Sequence, residues 1–447
     1  MMKVLKNKNF FLLFQGAFVS EVGNMLYNTA MGLIVLRITG SATSMGLFMA
    51  LAIFVRVLFS PIAGVMVDRW NRVRIIYMTD FIRGFLFLAF AFILYNGLEG
   101  NSVLVLLYLV TALSSINAAF FFPAASSAIP EIVGENNLQA AQGLQGFLMS
   151  IPSLIGIAFG AALYDLGSME LIVFINAITF IFSGITEMFI RTPLKKEKTE
   201  LEKTDEVKQS IMKDYVVSLK YIKKVGLLNL VLFFLVINFA ATPIFSIGSP
   251  YLFKNVLMRE NTMEYAFTGI MFSVSSMIGA LIIGSMKIKS YKKAIPSGIF
   301  RLGFFFLINI ILFHLVSVGL INHWLFYVLY MLDILALGIN MNAINIPIGV
   351  GMTLAVDPNM RGRVFSTIGA LSQLAIPFAM VLGGVLLDYG SITVLGVVSI
   401  TLLIIPIWGF SKNKRVKELL SDLDVTRERL EEEEMLRELR EKEEVYS

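Results

Sequence analysis

The chain has 447 residues, of which 57% are hydrophobic and only 15% charged, and its mean hydropathy is +0.76. A soluble domain carries about a quarter charged residues, so most of this length must be solvated by lipid. Cysteine is absent, which excludes disulfides, thiolate nucleophiles and thiolate metal sites.

Long apolar stretches recur along the chain, separated by short polar breaks. They lie near 10–36, 45–67, 75–96, 102–128, 138–163, 169–190, 225–253, 264–286, 294–318, 324–351, 364–388 and 391–410. A helix crosses the hydrocarbon core in about 20 residues, and only helices or closed barrels satisfy their backbone polar groups there. Strand-like alternation is missing and the runs are too long for strands. The reading is therefore an all-α membrane protein with twelve transmembrane helices. The first run is expected to be a span and not a cleavable signal peptide, because it is long and has no small-residue cleavage site.

Lysine and arginine are distributed unevenly. Of the 37 present, 32 fall in 1–9, 69–74, 191–224, 287–301, 361–363 and 412–442. All six segments share one side if the N-terminus is inside, which predicts cytoplasmic termini and an even number of spans. Arg37, Arg56, Arg83, Lys254 and Arg259 stand outside this bias.

The longest break, 191–224, follows span six and divides the chain into two sets of six. Its end places Ile211, Tyr215, Leu219 and Ile222 at helical spacing among lysines, the pattern of an interfacial amphipathic helix. A matched pair of segments supports the division. IPSLIGIAFGAALYDLGS (151–168) corresponds to IPFAMVLGGVLLDYGS (376–391), which aligns Gly160 with Gly384 and Ser168 with Ser391. Repeated six-span halves build one large transporter class, with the substrate site near the midplane. The predicted organisation is a six-helix bundle over 1–190, a linker over 191–224, a second six-helix bundle over 225–410 and a charged tail over 411–447. The tail begins basic, turns acidic, and is expected to be a solvated helix held near lipid headgroups.

Charges inside a bilayer are costly and mark function or pairing. Glu21 lies thirteen residues past Lys8, about 20 Å deep at 1.5 Å per residue. Arg56 lies twelve residues before Asp68, about 18 Å from the same face. The two are expected to pair, either to carry coupling and substrate contact or to tighten packing. Glu21, Asn24 and Asn28 also form one polar stripe on span one. Asp333 lies about 15 Å into span ten, with Asn340 on the same face and Asn342 and Asn345 below. A carboxyl there without a basic neighbour is costly to ionise and could carry a proton. Asp80 and Arg83 on span three, and Glu187 beside Arg191, read as a shallow charge network at the cytoplasmic side.

Prolines 61, 123, 152, 243, 347 and 377 lie in or at the ends of spans, where neighbouring helices absorb the lost hydrogen bonds. Gly156 and Gly160 form a close-packing GxxxG. Nucleophile elbows, P-loops, HExxH and dinucleotide fingerprints are missing from the sequence, so no cofactor is expected and transport would draw on an ion gradient.

One break reads GVMVDRWNRVR, with Gly64, Asp68, Arg69, Arg72 and Arg74. These residues resemble the best-known motif of the major facilitator superfamily, with Asn71 where glycine is usual. The stretches TGSATSMG (39–46), TDFIRGF (79–85), FFFPAASSAIPEIV (120–133), FINAITFIFSG (174–184), NIPIG (345–349) and RGRVFS (361–366) are similar to the branch containing bacterial macrolide efflux proteins and the enterobactin exporter. The resemblance implies two pseudo-symmetric six-helix bundles that rock between inward- and outward-facing states. It also implies that Asp68 and the arginines lock the cytoplasmic side. Asp68 is expected to meet the start of span eleven near Arg361 and Arg363, where the helix dipole favours an anion. The equivalent break in the second half, SMKIKSYKK (285–293), carries no acidic residue.

These readings converge on a secondary transporter of the bacterial plasma membrane that exports amphipathic, macrolide-like molecules in exchange for protons. Glu21 and Asp333 are the coupling candidates and Arg56 modulates Glu21. A lysolipid flippase or siderophore exporter is the alternative within transporters, and a non-transporting scaffold or sensor is the alternative outside them. The expected partners are substrate, protons and lipid, without nucleic acid, and the chain is expected to act as a monomer.

Overall fold

A computed structural model describes residues 2–98, 100–133, 138–166, 168–191, 217–258, 262–286, 288–357 and 360–446. They are almost entirely helical, with no strand among them. After a short turn at Met2–Leu5, the long helices are α1 (Lys8–Thr39), α2 (Ala42–Arg69), α3 (Arg72–Tyr95), α4 (Asn101–Val133), α5 (Leu138–Asp165) and α6 (Met169–Glu187). The second set is α7 (Leu227–Pro243, continuing through π-helical turns to Val256), α8 (Met263–Ser285), α9 (Tyr291–Ser317), α10 (His323–Ala355), α11 (Arg361–Tyr389) and α12 (Ile392–Lys412). The tail forms α13 (Lys414–Tyr446).

Ten stretches among the described residues are long and apolar enough to cross a membrane. α1 is not one of them, since Glu21, Asn24 and Asn28 interrupt its apolar length, and α5 contributes only the shorter stretch Ile151–Asp165.

The helix boundaries follow local chemistry. Asn7 Oδ1 accepts from the amides of Asn9 and Phe10 and starts α1. Gly40 ends α1 in the left-handed region at φ 63°, which a residue with a Cβ adopts at a cost. Ser41 follows immediately as the N-cap of α2, its Oγ accepting from the Ser44 amide at 3.1 Å. Asn71 caps α3 and Asn322 caps α10 in the same way, each worth about 1 kcal/mol.

Contacts group the described residues into two compact units. The first comprises the helices up to residue 191 together with Thr242–Ser273 and Gln373–Leu395, and the second comprises 217–241, Val274–Ser372 and the chain from Gly396 onward.

In the first unit α3 packs on α6, α1 on α5 and α6, and α2 on α4. The GxxxG of α5 lies on α1 as expected for close packing. A Cβ on Gly156 would come within 2.3 Å of Met25 Cβ, and one on Gly160 within 2.7 Å of the Leu26 carbonyl oxygen.

In the second unit α9 packs on α10, and α13 packs against both. This corrects the expectation of a solvated tail. Val416, Leu419, Leu420 and Leu423 are buried. Asp424 accepts from Ser290 Oγ at 2.7 Å and from the Tyr291 amide, capping α9, and Arg427 Nη1 donates to the Ile288 carbonyl at 2.6 Å. Leu419 and Leu423 already recur at helical spacing in the sequence with Leu430, Leu436 and Leu439, but the basic start and acidic end of the tail outweigh that broken stripe in a composition reading. Of the proposed linker helix, Ile211 and Tyr215 lie outside the described residues. Residues 217–224 are helical, with Ile222 buried and the Tyr221 hydroxyl accepting from the Asp357 amide at 3.0 Å.

Candidate functional site

The first unit carries a partly open cavity of about 300 Å3 between α1, α3 and α4. Its walls are mostly apolar, built from Phe10, Leu13, Phe14, Phe121, Phe122 and Ile129, and they carry Glu21, Asn24 and Arg83. The period of α1 brings this about, since Ala17, Glu21 and Asn24 recur at intervals of four and three residues and face one way. Asn24 Nδ2 donates to Glu21 Oε2 at 3.2 Å. Asn28, expected on the same stripe, is exposed.

Glu21 and Arg56 do not form the expected ion pair. Arg56 Nη2 donates to Gln373 Oε1 at 3.1 Å, and its guanidinium lies 5.6 Å from the centre of the Phe122 ring. The two side chains are claimed by other partners. Glu21 still feels two positive charges, Arg83 more strongly than Arg56.

Arg83, expected in a charge network with Asp80, also forms part of the cavity wall, where it is buried. The rings of Phe121 and Phe180 flank its guanidinium at 5.2 and 4.8 Å, a cation–π arrangement that partly replaces lost hydration. Behind it lie Asp80 and Glu187, both fully buried. Glu187 does not reach towards Arg191; it faces Asp80, Ser183 and Gly16 of α1. The three charges form a buried cluster between α1, α3 and α6.

In the second unit Asp333 is buried on α10, and Asn309 Nδ2 of α9 donates to its Oδ2 at 3.4 Å. Its Oδ1 has no hydrogen-bond partner among the described residues. Asn340, a site candidate, is committed to structure. Its Oδ1 accepts from Arg301 Nε at 2.9 Å and its Nδ2 donates to the Gly298 carbonyl at 3.0 Å, tying α9 to α10. Asn342 likewise donates to the Ser276 carbonyl at 2.7 Å.

For the gate motif, the side chains of Asp68, Arg69, Arg361 and Arg363 lie outside the described residues. Arg72 Nη1 donates to the Ser127 carbonyl at 3.2 Å, joining α3 to α4. Arg74 is exposed, and its amide receives the Asn71 cap. A Cβ on Gly64 would meet nothing within 4 Å.

Sequence reasoning missed a set of fastenings at the opposite end of the first unit. The Asp388 carboxylate, near the end of α11, caps the start of α2. It accepts from Ser41 Oγ at 2.6 Å, the Ala42 amide at 2.7 Å and the Thr43 amide at 2.9 Å. Asp165, the last residue of α5, accepts from the amide of Thr262 at 2.8 Å and from its hydroxyl, just before α8. Asp165 and Asp388 are the aligned acids of the two matched segments. Beside them Arg37 and Lys254 lie over the Tyr164 ring at 4.9 and 4.8 Å. Four of the five basic residues outside the charge bias thus have a place in this unit, and the fifth, Arg259, lies outside the described residues.

Residues 13–349 match the Major Facilitator Superfamily model. An MFS-type transporter of Bacillus subtilis, YkuC, is 28% identical over 375 residues, covering 81% of this chain and 82% of its own. Macrolide efflux protein A of Streptococcus pyogenes is 25% identical over 398 residues, covering 85% and 89%. Among solved structures, the nucleoside transporter NupG superposes with a TM-score of 0.67 at 13% identity, covering 91% of this chain and 98% of that one. A bacterial homologue of the iron transporter ferroportin, in an inward-facing state, gives a TM-score of 0.67 at 12% identity, covering 92% and 100%. At such identities the structural likeness establishes the fold alone. The family match covers most of the chain and agrees with the helical architecture: the chain belongs to the Major Facilitator Superfamily and is a multi-pass membrane transporter, not an enzyme.

Proposed function

We propose that this protein is a proton-coupled exporter of amphipathic small molecules of the macrolide class. It acts in a bacterial plasma membrane through twelve spans, with both termini cytoplasmic. The observation that carries the reading is the cavity at Glu21, with its apolar aromatic walls and a few convergent polar groups, the usual make-up of a small-molecule site. Likeness to macrolide efflux protein A supports the substrate class. Glu21 and Asp333 are the coupling carboxyls, and no cofactor is required beyond the proton gradient. Alternating access would part the helix ends that Asp165 and Asp388 fasten.

The test is uptake of a panel of fluorescent amphipaths into inverted vesicles, with and without a pH gradient. Glu21→Gln together with Asp333→Asn should abolish the gradient-dependent component. Gradient-driven uptake that survives the double substitution would refute the coupling assignment.

The Arg83 guanidinium on the cavity wall, with Arg56 nearby, favours a second reading, export of a molecule bearing an anionic headgroup such as a lysolipid or siderophore. Loss of substrate with coupling retained in Arg56→Ala would select it. Transport that persists after deletion of 412–447 would exclude a scaffold that acts through its tail.

A further inference from the structure

Behind Arg83 the carboxyls of Asp80 and Glu187 lie side by side, with the Ser183 hydroxyl against both. All of these side chains are buried. Both oxygens of Asp80, both of Glu187, Ser183 Oγ, and Nε and Nη2 of Arg83 lack a hydrogen-bond partner among the described residues. So many unmatched polar atoms in one buried place are costly. The site is closed on the α1 side by Gly16, where a Cβ would stand 2.9 Å from Glu187 Oε1 and 2.9 Å from Ser183 Oγ.

Charge count decides what this cluster takes. α3 brings Asp80 and Arg83, α6 brings Glu187, α1 brings Glu21 and α2 brings Arg56, while α4 and α6 face the guanidinium with the rings of Phe121 and Phe180. Glu21 and Arg56, one acid and one guanidinium, are only partly buried, but among the buried groups two acids oppose one guanidinium when fully ionised, so one negative charge is left uncompensated away from water. Two adjacent carboxylates are where that excess is least tolerable. A single proton held between them removes it and supplies the missing donor.

We propose that Asp80 and Glu187 form a proton-binding site that shares one exchangeable proton, separate from Glu21 and screened from the cavity by Arg83. Release breaks one carboxyl O–H bond, hands the proton to water and leaves both groups ionised. Its use in transport rests on the exporter reading, but occupancy of the pair does not. A metal cation would balance the same charge, yet it would have to sit beside the unmatched N–H groups of Arg83, which repel it.

The experiment is infrared difference spectroscopy of the full-length chain in liposomes across a pH titration. A carbonyl stretch from a protonated buried carboxyl is expected. It should be lost in Asp80→Asn and equally in Glu187→Gln, because the proton belongs to the pair, and kept in Glu21→Gln and Asp333→Asn. Gly16→Ala, which presses a methyl on the pair without changing charge, should shift its titration midpoint. The proposal is overturned if the band survives both amide substitutions, disappears in only one of them, or is unmoved in Gly16→Ala. Loss of the band on adding sodium or potassium at constant pH would assign the site to a metal cation instead. Should vesicle transport prove independent of any pH gradient while the shared band remains, the exporter reading fails and the proton site stands.

Discussion

The fastening at Asp388 makes a quantitative demand on the proposed alternating access. Its carboxylate receives two backbone amides and a hydroxyl at 2.7, 2.9 and 2.6 Å, and so satisfies donors that the start of α2 would otherwise leave open. A lost N-cap costs about 0.5–2 kcal/mol, and an anion at a helix N-terminus adds about 0.3–1 kcal/mol. Because Asp388 is exposed, solvent screening holds the combined effect of Asp388→Ala to about 1–2 kcal/mol. That corresponds to a shift of about 5–30-fold in the ratio of fastened to parted helix ends. Asp388→Asn keeps an acceptor and should fall below this range. Since the chain contains no cysteine, spin labels can be placed cleanly on cysteines replacing Ile38 and Tyr389, which are 40% and 88% exposed. Pulsed electron resonance should show a longer distance gaining population in Asp388→Ala, and gaining further when Asp165→Ala is added. An unchanged distance distribution in the folded double variant would refute the latch.

Other outcomes follow from named contacts. Gly160→Leu should lower the melting temperature in a thermal-shift assay by overpacking against the Leu26 backbone, at about 1–3 kcal/mol; Gly269, whose nearest neighbour to an added Cβ is Ile157 at 3.3 Å, should tolerate alanine. Asn340→Ala strips partners from Arg301 and the Gly298 carbonyl and should cost stability by about 1–3 kcal/mol, whereas Asp333→Asn should change coupling with little loss of melting temperature. Asp424→Ala should free the start of α13, seen as faster amide hydrogen exchange over 414–427, and unchanged exchange there would mean that the buried leucines alone hold the tail.

The membrane-spanning architecture was legible in the sequence because lipid imposes a length and a composition that no other environment does. Glu21 was legible for the same reason, since a carboxylate deep in an apolar run needs an explanation. Partners were not. Depth counting placed Glu21 and Arg56 at one level but could not say that Arg56 turns to Gln373 or that Arg83 reaches the cavity, because a side chain of that length spans more than a helical turn. Asp80 and Glu187 are 107 positions apart, and only the packing of α3 on α6 unites them. The latch did leave a signal. Asp165 ends α5 and Asp388 lies one residue from the end of α11, where the helix dipole opposes an anion. A carboxylate so placed in both halves points to another helix's N-terminus.

The repeat has kept one of its features and lost another. Both halves retain the acid that fastens a helix start, Asp165 on α5 and Asp388 on α11. The ionisable groups within the helices are not repeated. Glu21, Arg56, Asp80, Arg83 and Glu187 all lie in the first half, while the second keeps Asp333 and binds Arg301 to Asn340. Under the proposed alternating access, fastening would have to be shared, because each half contributes an acid to it. The proposed proton chemistry would carry no such requirement, because one set of carboxyls suffices to charge and discharge. Asp80→Asn combined with Glu187→Gln should lose the shared proton yet leave the spin-label distances at the latch unchanged, and a distance shift in that variant would show the two features to be coupled.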